Sequence, residues 1–477
     1  MSANTPHSMR GLNSTRLVIC LLLVVTIYLF RDSWLPDISV HQPLGKAASL
    51  QDAESEAETF GADNGTRSVE TFLSDCLNLP GADKVLVLLK TGATELYQKL
   101  PTHFVTTFKC IPNVMIFSDL QQKFAEHDIY SAIAPVSAHF RDHHKDFELY
   151  HKLQQYQQEG QDMSKLKGDG GWNLDKWKFF PMLHLAFESA GDNIEWFVIM
   201  EADTSISWTN LLLWLQTMNP QKPYYLGAQN VIGSTTFAHG GSGVVISRAT
   251  ADRVEAKRRK MGKEAYDQLW EWKTSKTCCG DEIIARAFMD VEVPLSPAWP
   301  LIQGETVSSI DWTAHHWCSP AITWHHVSPT EVDSMWQFET EWTAKHGFDT
   351  PYLYRDVFDH FISRHISVNR TSWNNLSKDR KFVSPSLATD EDEDYDSLLE
   401  SEQKAVESQD ACAEACLQKD DCVQWMFSPG RCHLGKDIRF GRSDEASNEE
   451  HWTSGWIQER VDAFRNSLEG CKIKWHG

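Results

Sequence analysis

The chain has 477 residues, which is enough for two or three domains, and 41% of them are hydrophobic. The net charge of −21 argues against nucleic acid as the main partner, because a surface that binds phosphates needs an excess of Lys and Arg. Many of the acidic residues fall in two segments that we interpret as solvated linkers, Asp52–Glu58 and Asp390–Glu402.

An uncharged segment near the N-terminus, Leu17–Phe30, predicts entry into the secretory pathway. Arg10 and Arg16 precede it and Asp32 follows it, so the positive-inside rule predicts a cytosolic N-terminus and a luminal remainder. The segment is short for a membrane span and also fits the core of a cleaved signal peptide. We favour an uncleaved anchor, because no clear small-residue cleavage site follows directly.

The cysteines agree with a luminal location. Of 11 cysteines, Cys20 lies in the predicted anchor, which leaves ten, an even number that an oxidising compartment would allow to pair. Glycosylation sequons that begin at Asn64, Asn369 and Asn375 would be reachable in the lumen, whereas one at Asn13 would face the cytosol.

The predicted globular region begins after a polar stem of residues 36 to about 75. Apolar runs predict buried strands, and helical periodicity predicts the segments between them. In chain order these elements are a strand over Lys84–Leu89, a helix over Gln98–Phe108, a strand over Asn113–Phe117, a helix over Asp175–Ser189 and a strand over Glu195–Met200. This alternation predicts an α/β domain with a mostly parallel sheet.

Acidic residues follow two of these strands directly, at Ser118-Asp119 and at Glu201-Ala202-Asp203. Ligands bind at the carboxyl ends of such strands, and residues i and i+2 point to the same side. Carboxylate oxygens suit Mg²⁺ or Mn²⁺ carrying a nucleotide phosphate. Considered alone, acids at a strand end are more often solvated turn residues.

Five motifs in a fixed order then carry a resemblance. They are a strand ending in Asp, W-F-V-x-x-E-A-D-T, H-G-G-S-G-x-x-x-S, C-G-D-E and W-H-H-V-x-P. This order resembles the fringe and core 1 β1,3-galactosyltransferase family of inverting glycosyltransferases, in particular its fungal members, over residues 80–345. The resemblance implies a GT-A-like, Rossmann-type domain with a mixed, mostly parallel sheet.

The resemblance also implies a donor site for a UDP-sugar. Asp203 matches the family's metal-binding carboxylate, and Glu201 stands where the family usually has aspartate, so its expected role is at the ribose or a metal-bound water. Lys178 would meet the diphosphate, although it also fits an ordinary exposed Lys on an amphipathic helix. Gly240 and Gly241 would shape the sugar and acceptor site, where the alternative is a plain hairpin turn.

Two further motifs complete the implied chemistry. Asp281 falls on the family's general base, with Glu282 as the alternative, although acids are favoured in a first helical turn regardless of chemistry. A late histidine completes the metal site, and His325 or His326 fits. Because side chains alternate along a strand, we expect only one of them to face the metal and prefer His325 slightly.

A small cysteine-dense segment follows the acidic linker and contains the motifs Asp410-Ala-Cys412-Ala-Glu-Ala-Cys416, Asp421-Cys422-Val-Gln-Trp425 and Cys432-His-Leu434-Gly435. These motifs resemble a PAN/Apple domain, a disulfide-rich α+β module. The resemblance implies the pairs Cys412–Cys432 and Cys416–Cys422, and leaves Cys471 for the catalytic domain or another chain. The module would bind protein or carbohydrate, or serve as a structural cap.

The combined interpretation is a Golgi membrane protein, single-pass and type II, with a luminal catalytic domain. It would use Mn²⁺ or another divalent cation to move a hexose, preferably galactose, from a UDP-sugar to a glycan or glycoprotein acceptor in a β1,3 linkage. A homodimer is compatible with it. The alternative is a catalytically impaired secretory binding protein that uses the PAN module. The predicted segments are a cytosolic tail (1–16), anchor (17–35), stem (36–78), GT-A-like domain (79–380), acidic linker (381–403), PAN/Apple-like domain (404–460) and C-terminal tail (461–477).

Overall fold

A computed structural model describes residues 75–444 and 451–475. The predicted cytosolic tail, the anchor and nearly all of the stem lie outside these ranges. Among the helices within them, none combines the length and apolar character that a membrane span requires.

Residues 75–366 form an α/β domain around an eight-stranded sheet with the strand order β11-β7-β10-β5-β1-β2-β4-β3. Strands β6 and β12 pair separately, as do β8 and β9. The strands of this domain are β1 Val85–Lys90, β2 Val114–Ser118, β3 Gln122–Phe124, β4 His127–Ser131, β5 Trp196–Glu201, β6 Thr204–Ile206, β7 Tyr225–Gly227, β8 Gln229–Ile232, β9 Thr235–Ala238, β10 Val244–Ser247, β11 Ser296–Pro297 and β12 Thr323–His325.

The centre of the sheet confirms the three predicted strands, each within a residue or so at either end. β1 pairs in parallel with both β2 and β5, and the register brings Lys90 opposite Glu201. β1 is buried along its whole length, because helices cover both faces of the sheet, which explains its continuous apolar run. The outer pairs β3–β4, β5–β10 and β7–β10 are antiparallel, so the sheet is mixed as expected.

Twelve α-helices surround this sheet. The predicted helix over Gln98–Phe108 begins and ends slightly earlier, and the predicted helix over Asp175–Ser189 is broken after Asp175. Pro181 has no N–H to donate and fits only the first turn of a helix, so a new helix begins at Phe179. The helices are α1 Leu96–Val105, α2 Ala138–Arg141, α3 Glu148–Gln158, α4 Gly170–Asp175, α5 Phe179–Ser189, α6 Trp208–Leu215, α7 Arg248–Met261, α8 Lys263–Thr274, α9 Gly280–Met289, α10 Ala314–Trp317, α11 Pro329–His346 and α12 Tyr354–Phe361.

The remaining described residues, 367–444 and 451–475, form a C-terminal module around a five-stranded sheet with the order β13-β19-β16-β17-β15. Its strands are β13 Arg370–Thr371, β14 Trp373–Asn374, β15 Arg380–Val383, β16 Gln424–Ser428, β17 Arg431–Gly435, β18 Arg442–Ser443 and β19 Thr453–Trp456, and its helices are α13 Glu400–Lys404, α14 Gln409–Leu417 and α15 Gln458–Ser467.

Disulfides pin this module together. Cys412–Cys432 and Cys416–Cys422 are both present, as the resemblance implied. Cys471 pairs with Cys318 and so fastens the end of the module to the α/β domain. Cys76–Cys110 and Cys278–Cys279 complete the set, and all ten cysteines after Cys20 are paired.

The module is wider than the segment 404–460. Strands β13 and β15 precede that segment and yet pair within the module's sheet, while α15 follows it. The predicted acidic linker contains Leu398, which packs in the module's core. The sequon at Asn375 lies inside the same structure: its side chain is fully buried and donates to the Trp425 carbonyl, so the expectation that it can be glycosylated is wrong for the folded protein.

The α/β domain and the module share one apolar core, in which Trp312 and Phe358 pack with Ile438 and Trp456. The Trp312 N–H donates to the Ile438 carbonyl, and the Gly441 N–H donates to the Ser308 carbonyl.

A buried cation also crosses this interface. Arg439 is 1% exposed, and its guanidinium bonds Asp311 of the α/β domain and Asp379 of the module. The module is therefore packed against the α/β domain over this shared core.

Candidate functional site

Strand β5 ends at Glu201, and Asp203 lies in the turn that leads into β6. β6 pairs with β12 in an antiparallel register that sets Thr204 opposite His325. The Val327 N–H donates to the Asp203 carbonyl just beyond this pair. Backbone pairing alone therefore brings Asp203 next to the two histidines, although more than a hundred residues separate them along the chain.

Both histidines lie within 4.0 Å of Asp203, although the alternation of a strand led us to expect that only one of them would face a metal. Strand β12 ends at His325, and His326 has a left-handed backbone with φ of 59°. This turn ends the alternation of the strand, and the two rings lie 3.8 Å apart between centroids. His325 Nε2 is 3.6 Å from Asp203 Oδ1, and His326 Nδ1 is 4.0 Å from Asp203 Oδ2.

These three residues fit a divalent cation. One ligand atom from each lies within 4.8 Å of the others. His325 is buried, and neither of its ring nitrogens has a hydrogen-bond partner, which is costly unless a ligand supplies one. Burial lowers the pKa of His325 to about 4, so the ring is neutral and free to coordinate at neutral pH. A mixed set of carboxylate oxygen and imidazole nitrogen is compatible with several divalent metals of the first transition series.

Lysines balance the acids at this edge. Lys99 Nζ is 3.0 Å from Asp203 Oδ2; burial alone would raise the pKa of Asp203, but Lys99 holds it below its ordinary value. Lys90 Nζ is buried and lies 3.0 Å from Glu201 Oε1 and 2.6 Å from Asp175 Oδ2. Burial raises the pKa of Glu201 despite the opposing effect of Lys90. The site predicted from the sequence motifs did not include Lys90 or Lys99. Lys90 could have been identified, because it is a charged residue that directly follows the apolar run of a predicted strand.

Lys178 points into the fold. Its ammonium is 2.8 Å from Asp119 Oδ1 and 3.5 Å from Asp175 Oδ1, and it donates to the Thr91 carbonyl at 3.0 Å. Burial alone would lower the pKa of Lys178, but Asp119 and Asp175 raise it above its ordinary value. Asp119 also accepts from the Ala93 N–H. Lys178 thus fixes the loops after β1 and β2, and it is not the exposed helical Lys of the alternative reading.

Gly240 and Gly241 connect the metal-ligand group to Asp281. The Gly241 carbonyl accepts from Thr204 Oγ1 at 2.7 Å, and a Cβ added at Gly241 would overlap the imidazole of His325. The Gly240 N–H donates to Asp281 Oδ2 at 2.9 Å. The turn is therefore more than a hairpin, because one glycine packs on a metal-ligand candidate and the next holds the predicted base.

Asp281 lies in the first turn of α9, close to His239. Its second oxygen accepts from the Glu282 N–H, and burial raises the pKa of Asp281. The helix-capping residue is Cys279, and it makes no side-chain cap. Glu282, the alternative base, is fully buried and bonded to Arg286 and Thr277, so its carboxylate faces the fold.

A cleft of about 1010 Å³ opens beside this site and reaches His326. The α/β domain contributes one wall and the C-terminal module the other. The sequence reading did not predict this cleft, although His239 and Ser242 belong to the glycine-rich motif that it used. The residues that line the cleft include His239, Trp299, Glu305, Asp311, Lys378, Lys381, Met426, His433 and Trp452.

Residues 83–294 match the Fringe-like family. This match supports the fringe/β1,3-glycosyltransferase family for the domain that carries Asp203 and Asp281, and with it a glycosyltransferase activity. It ends before the histidine pair and before the C-terminal module. No curated protein matches the chain.

Proposed function

We propose that this protein is a metal-dependent, inverting glycosyltransferase that moves a hexose from a UDP-sugar to a hydroxyl of a glycan or glycoprotein in a β1,3 linkage. One observation carries the proposal: Asp203, His325 and His326 converge in the domain that matches the Fringe-like family, with both nitrogens of the buried His325 left unpaired. Galactose is the preferred donor sugar, from the resemblance to core 1 transferases.

In the proposed site, Asp203, His325 and His326 hold Mn²⁺ or another divalent cation. The bound cation would neutralise charge on the leaving diphosphate as a Lewis acid. Glu201, whose carboxylate is already paired with Lys90, orients the donor or a water molecule. Lys178 acts through Asp119 and Asp175 by holding the loops that border the nucleotide.

Asp281 is the proposed general base. Its carboxylate takes the proton of the acceptor hydroxyl while that oxygen forms a bond to the anomeric carbon. The bond from the anomeric carbon to UDP breaks on the opposite face, UDP leaves with the electron pair, and an α-linked donor becomes a β-glycoside. The Gly240 N–H keeps one carboxylate oxygen in place, and a raised pKa makes the carboxylate a stronger base than ordinary Asp.

The test of the function is a screen of UDP-sugars with the purified protein, measuring UDP release with Mn²⁺, after chelation, and after Mn²⁺ is restored. We expect release from one UDP-hexose, loss of release on chelation and recovery on restoration. Absence of release from every UDP-sugar would favour the alternative, a secretory binding protein. The Lys99–Asp203 and Lys90–Glu201 pairs are the observations that favour this alternative, because each lysine takes up an acid of the site.

The base assignment makes a separate prediction. Asp281→Asn should bind UDP normally but lower the transfer rate by about 10²–10⁴, the usual contribution of a general base. Asp290→Asn is a matched control, because Asp290 caps the other end of α9 and is exposed. UDP binding is measured by calorimetry and transfer by product formation. Near-normal turnover of Asp281→Asn would contradict the assignment.

We further propose a Golgi location with a luminal catalytic domain, membership of the fungal type of the family, and a PAN/Apple-like C-terminal module. Five disulfides within the described residues support the oxidising compartment, since such bonds are rare in the cytosol.

A further inference from the structure

The cleft beside the metal-ligand group has a second wall built by the C-terminal module. Three module residues on neighbouring strands, Lys381, His433 and Met426, are direct cross-strand partners: Lys381 of β15 pairs with His433 of β17, which pairs with Met426 of β16. They therefore share one face of the module's sheet, and all three line the cleft. Trp452 lies beside His433, with the ring centroids 4.9 Å apart.

The facing wall comes from the α/β domain. Trp299 is 42% exposed, although the rings of His315 and His316 contact it at 5.8 and 5.0 Å between centroids. His326 and His239 mark the end of the cleft at the metal-ligand group. The cleft therefore extends from His326 of the metal-ligand group to the module.

We propose that this cleft is an extended acceptor site for an uncharged oligosaccharide, in which the module's Lys381, His433 and Met426 hold sugars that precede the reacting residue. This inference rests on the proposed glycosyltransferase function and names the acceptor class of the same site. The C-terminal module is then part of the acceptor site and does more than cap the fold.

The lining chemistry favours a carbohydrate over a peptide. Side-chain amides, hydroxyls and imidazoles are frequent on the α/β wall, and Asn374, Ser377 and His433 add one of each on the module wall; all can bond sugar hydroxyls, while Trp299 offers a flat apolar surface to the face of a sugar ring. Two carboxylates, Glu305 and Asp311, are balanced by two lysines, Lys378 and Lys381, so the cleft has no excess charge that would select an ionic chain.

The size of the cleft supports more than one sugar. About 1010 Å³ is at the upper end of the usual range of about 300–1,000 Å³ for small-molecule sites. Asp311 of the α/β wall is paired with two residues of the module: its Oδ1 is 3.7 Å from Lys378 Nζ and also bonds the guanidinium of Arg439. These ion pairs connect the two walls in the absence of an acceptor.

The test uses an array of defined, uncharged mono- to hexasaccharides incubated with a tagged form of the active UDP-sugar. We expect the tag on oligosaccharides, with poor labelling of monosaccharide glycosides that have the same terminal sugar. Lys381→Ala and His433→Ala should each raise the acceptor KM for the best oligosaccharide up to about tenfold, which corresponds to one lost hydrogen bond. Their kcat, and UDP release to water without acceptor, should stay unchanged.

Arg380→Ala is the matched control. Arg380 is the neighbour of Lys381 on β15 and is also exposed. Because side chains alternate along a strand, the Arg380 side chain lies on the other face of the module's sheet, where its cross-strand partner is Leu434. Equal use of mono- and oligosaccharides, labelling of peptides alone, or identical KM values in Lys381→Ala, His433→Ala and Arg380→Ala would each overturn the inference while UDP release stays intact. Absence of UDP release from the wild-type protein with every UDP-sugar would overturn the proposed function, and this inference with it.

Discussion

Gly241 is the residue at which one added atom should most directly disturb the proposed metal site. Its Cα packs on the buried His325 ring, and the backbone conformation is otherwise ordinary. We expect Gly241→Ala to displace the imidazole and to lower transfer by about 10²-fold, since misplacement by about 1 Å has effects of that size. The apparent affinity for Mn²⁺ should fall at the same time.

The matched control for this substitution is Gly168→Ala. Gly168 has open space where a Cβ would lie, so an added methyl group there contacts neither histidine. Its replacement should leave both Mn²⁺ titration and transfer unchanged. If Gly241→Ala also kept the Mn²⁺ affinity of the wild type, the contact with His325 would not matter for metal binding.

The sequence was informative about site residues wherever a motif fixed both identity and neighbours. Asp203 and His325 were chosen from motif order, and the structure brings them together through β6 and β12. The orientation of His326 could not be predicted, because a left-handed residue at the end of a strand leaves no pattern in the sequence. The burial of the Lys178 side chain could not be predicted either, because the carboxylates that pair with its ammonium group lie on other elements.

At the scale of elements, the long apolar strands were the most predictable part of the fold. β1 is buried throughout, β5 up to its last residue and β2 over its last three residues, so their apolar runs identify them without reference to neighbours. The short strand β6 was not predicted, and β12 entered the prediction only as the strand assumed to carry the two histidines. Each has three residues and exists because it pairs with the other, and the metal-ligand group depends on that pairing.

Helix α11 gives this pair its downstream anchor. Its N-cap residue, Ser328, lies two residues after His326 and forms a capping box, in which Ser328 accepts from the Glu331 N–H and Glu331 accepts from the Ser328 N–H. We expect Ser328→Ala to lower the free energy of unfolding by about 1 kcal/mol, the usual effect of a lost N-cap, and to weaken Mn²⁺ binding by loosening His326. Urea denaturation and Mn²⁺ titration measure the two effects.

Ser408→Ala separates stability from function in this comparison. Ser408 is the N-cap of α14 in the module, where its side chain accepts from the Ala411 N–H without a capping box, and it is likewise exposed. It should lose a similar amount of stability and keep the wild-type Mn²⁺ affinity. A similar loss of Mn²⁺ affinity in both variants would show that the effect of Ser328 is general destabilisation and not the position of His326.

At the scale of the whole molecule, the sequence predicted a catalytic domain and a module separated by a linker, whereas the structure packs the module against the α/β domain over a shared core. Cysteine density identified the module, and the disulfides Cys412–Cys432 and Cys416–Cys422 are as implied. Its edges were missed because β13 and β15 are short, and because the acidic segment looked like a linker although it contributes Leu398 to the core. The core that contains Trp312 and Trp456 forms where a surface of the α/β domain meets a surface of the module, and no local sequence pattern predicts such a contact.

Arg439 tests how firmly the module is joined to the α/β domain. Its buried guanidinium is the common partner of Asp311, Asp379 and Asp437, so Arg439→Ala would leave three neighbouring carboxylates without it. We expect the free energy of unfolding to fall by about 1–3 kcal/mol, less than for a fully buried ion pair, because the three carboxylates left behind are 20–38% exposed and can be rehydrated. Arg439→Lys should lose less, because it keeps the charge but not the geometry that bonds two carboxylates at once. Urea denaturation followed by tryptophan fluorescence measures both.

The same variant also connects the interface to the cleft. Asp311 lines the cleft and is held by Arg439, so the surviving folded fraction of Arg439→Ala should transfer poorly to oligosaccharides while it still releases UDP to water. Arg442→Ala, an exposed Arg on β18, should change neither stability nor transfer. If Arg439→Ala were as stable as Arg442→Ala, the module would be held by the shared apolar core and the Cys318–Cys471 disulfide alone. The wall of the cleft that carries Lys381 and His433 would then owe its position to those contacts and not to the buried charges.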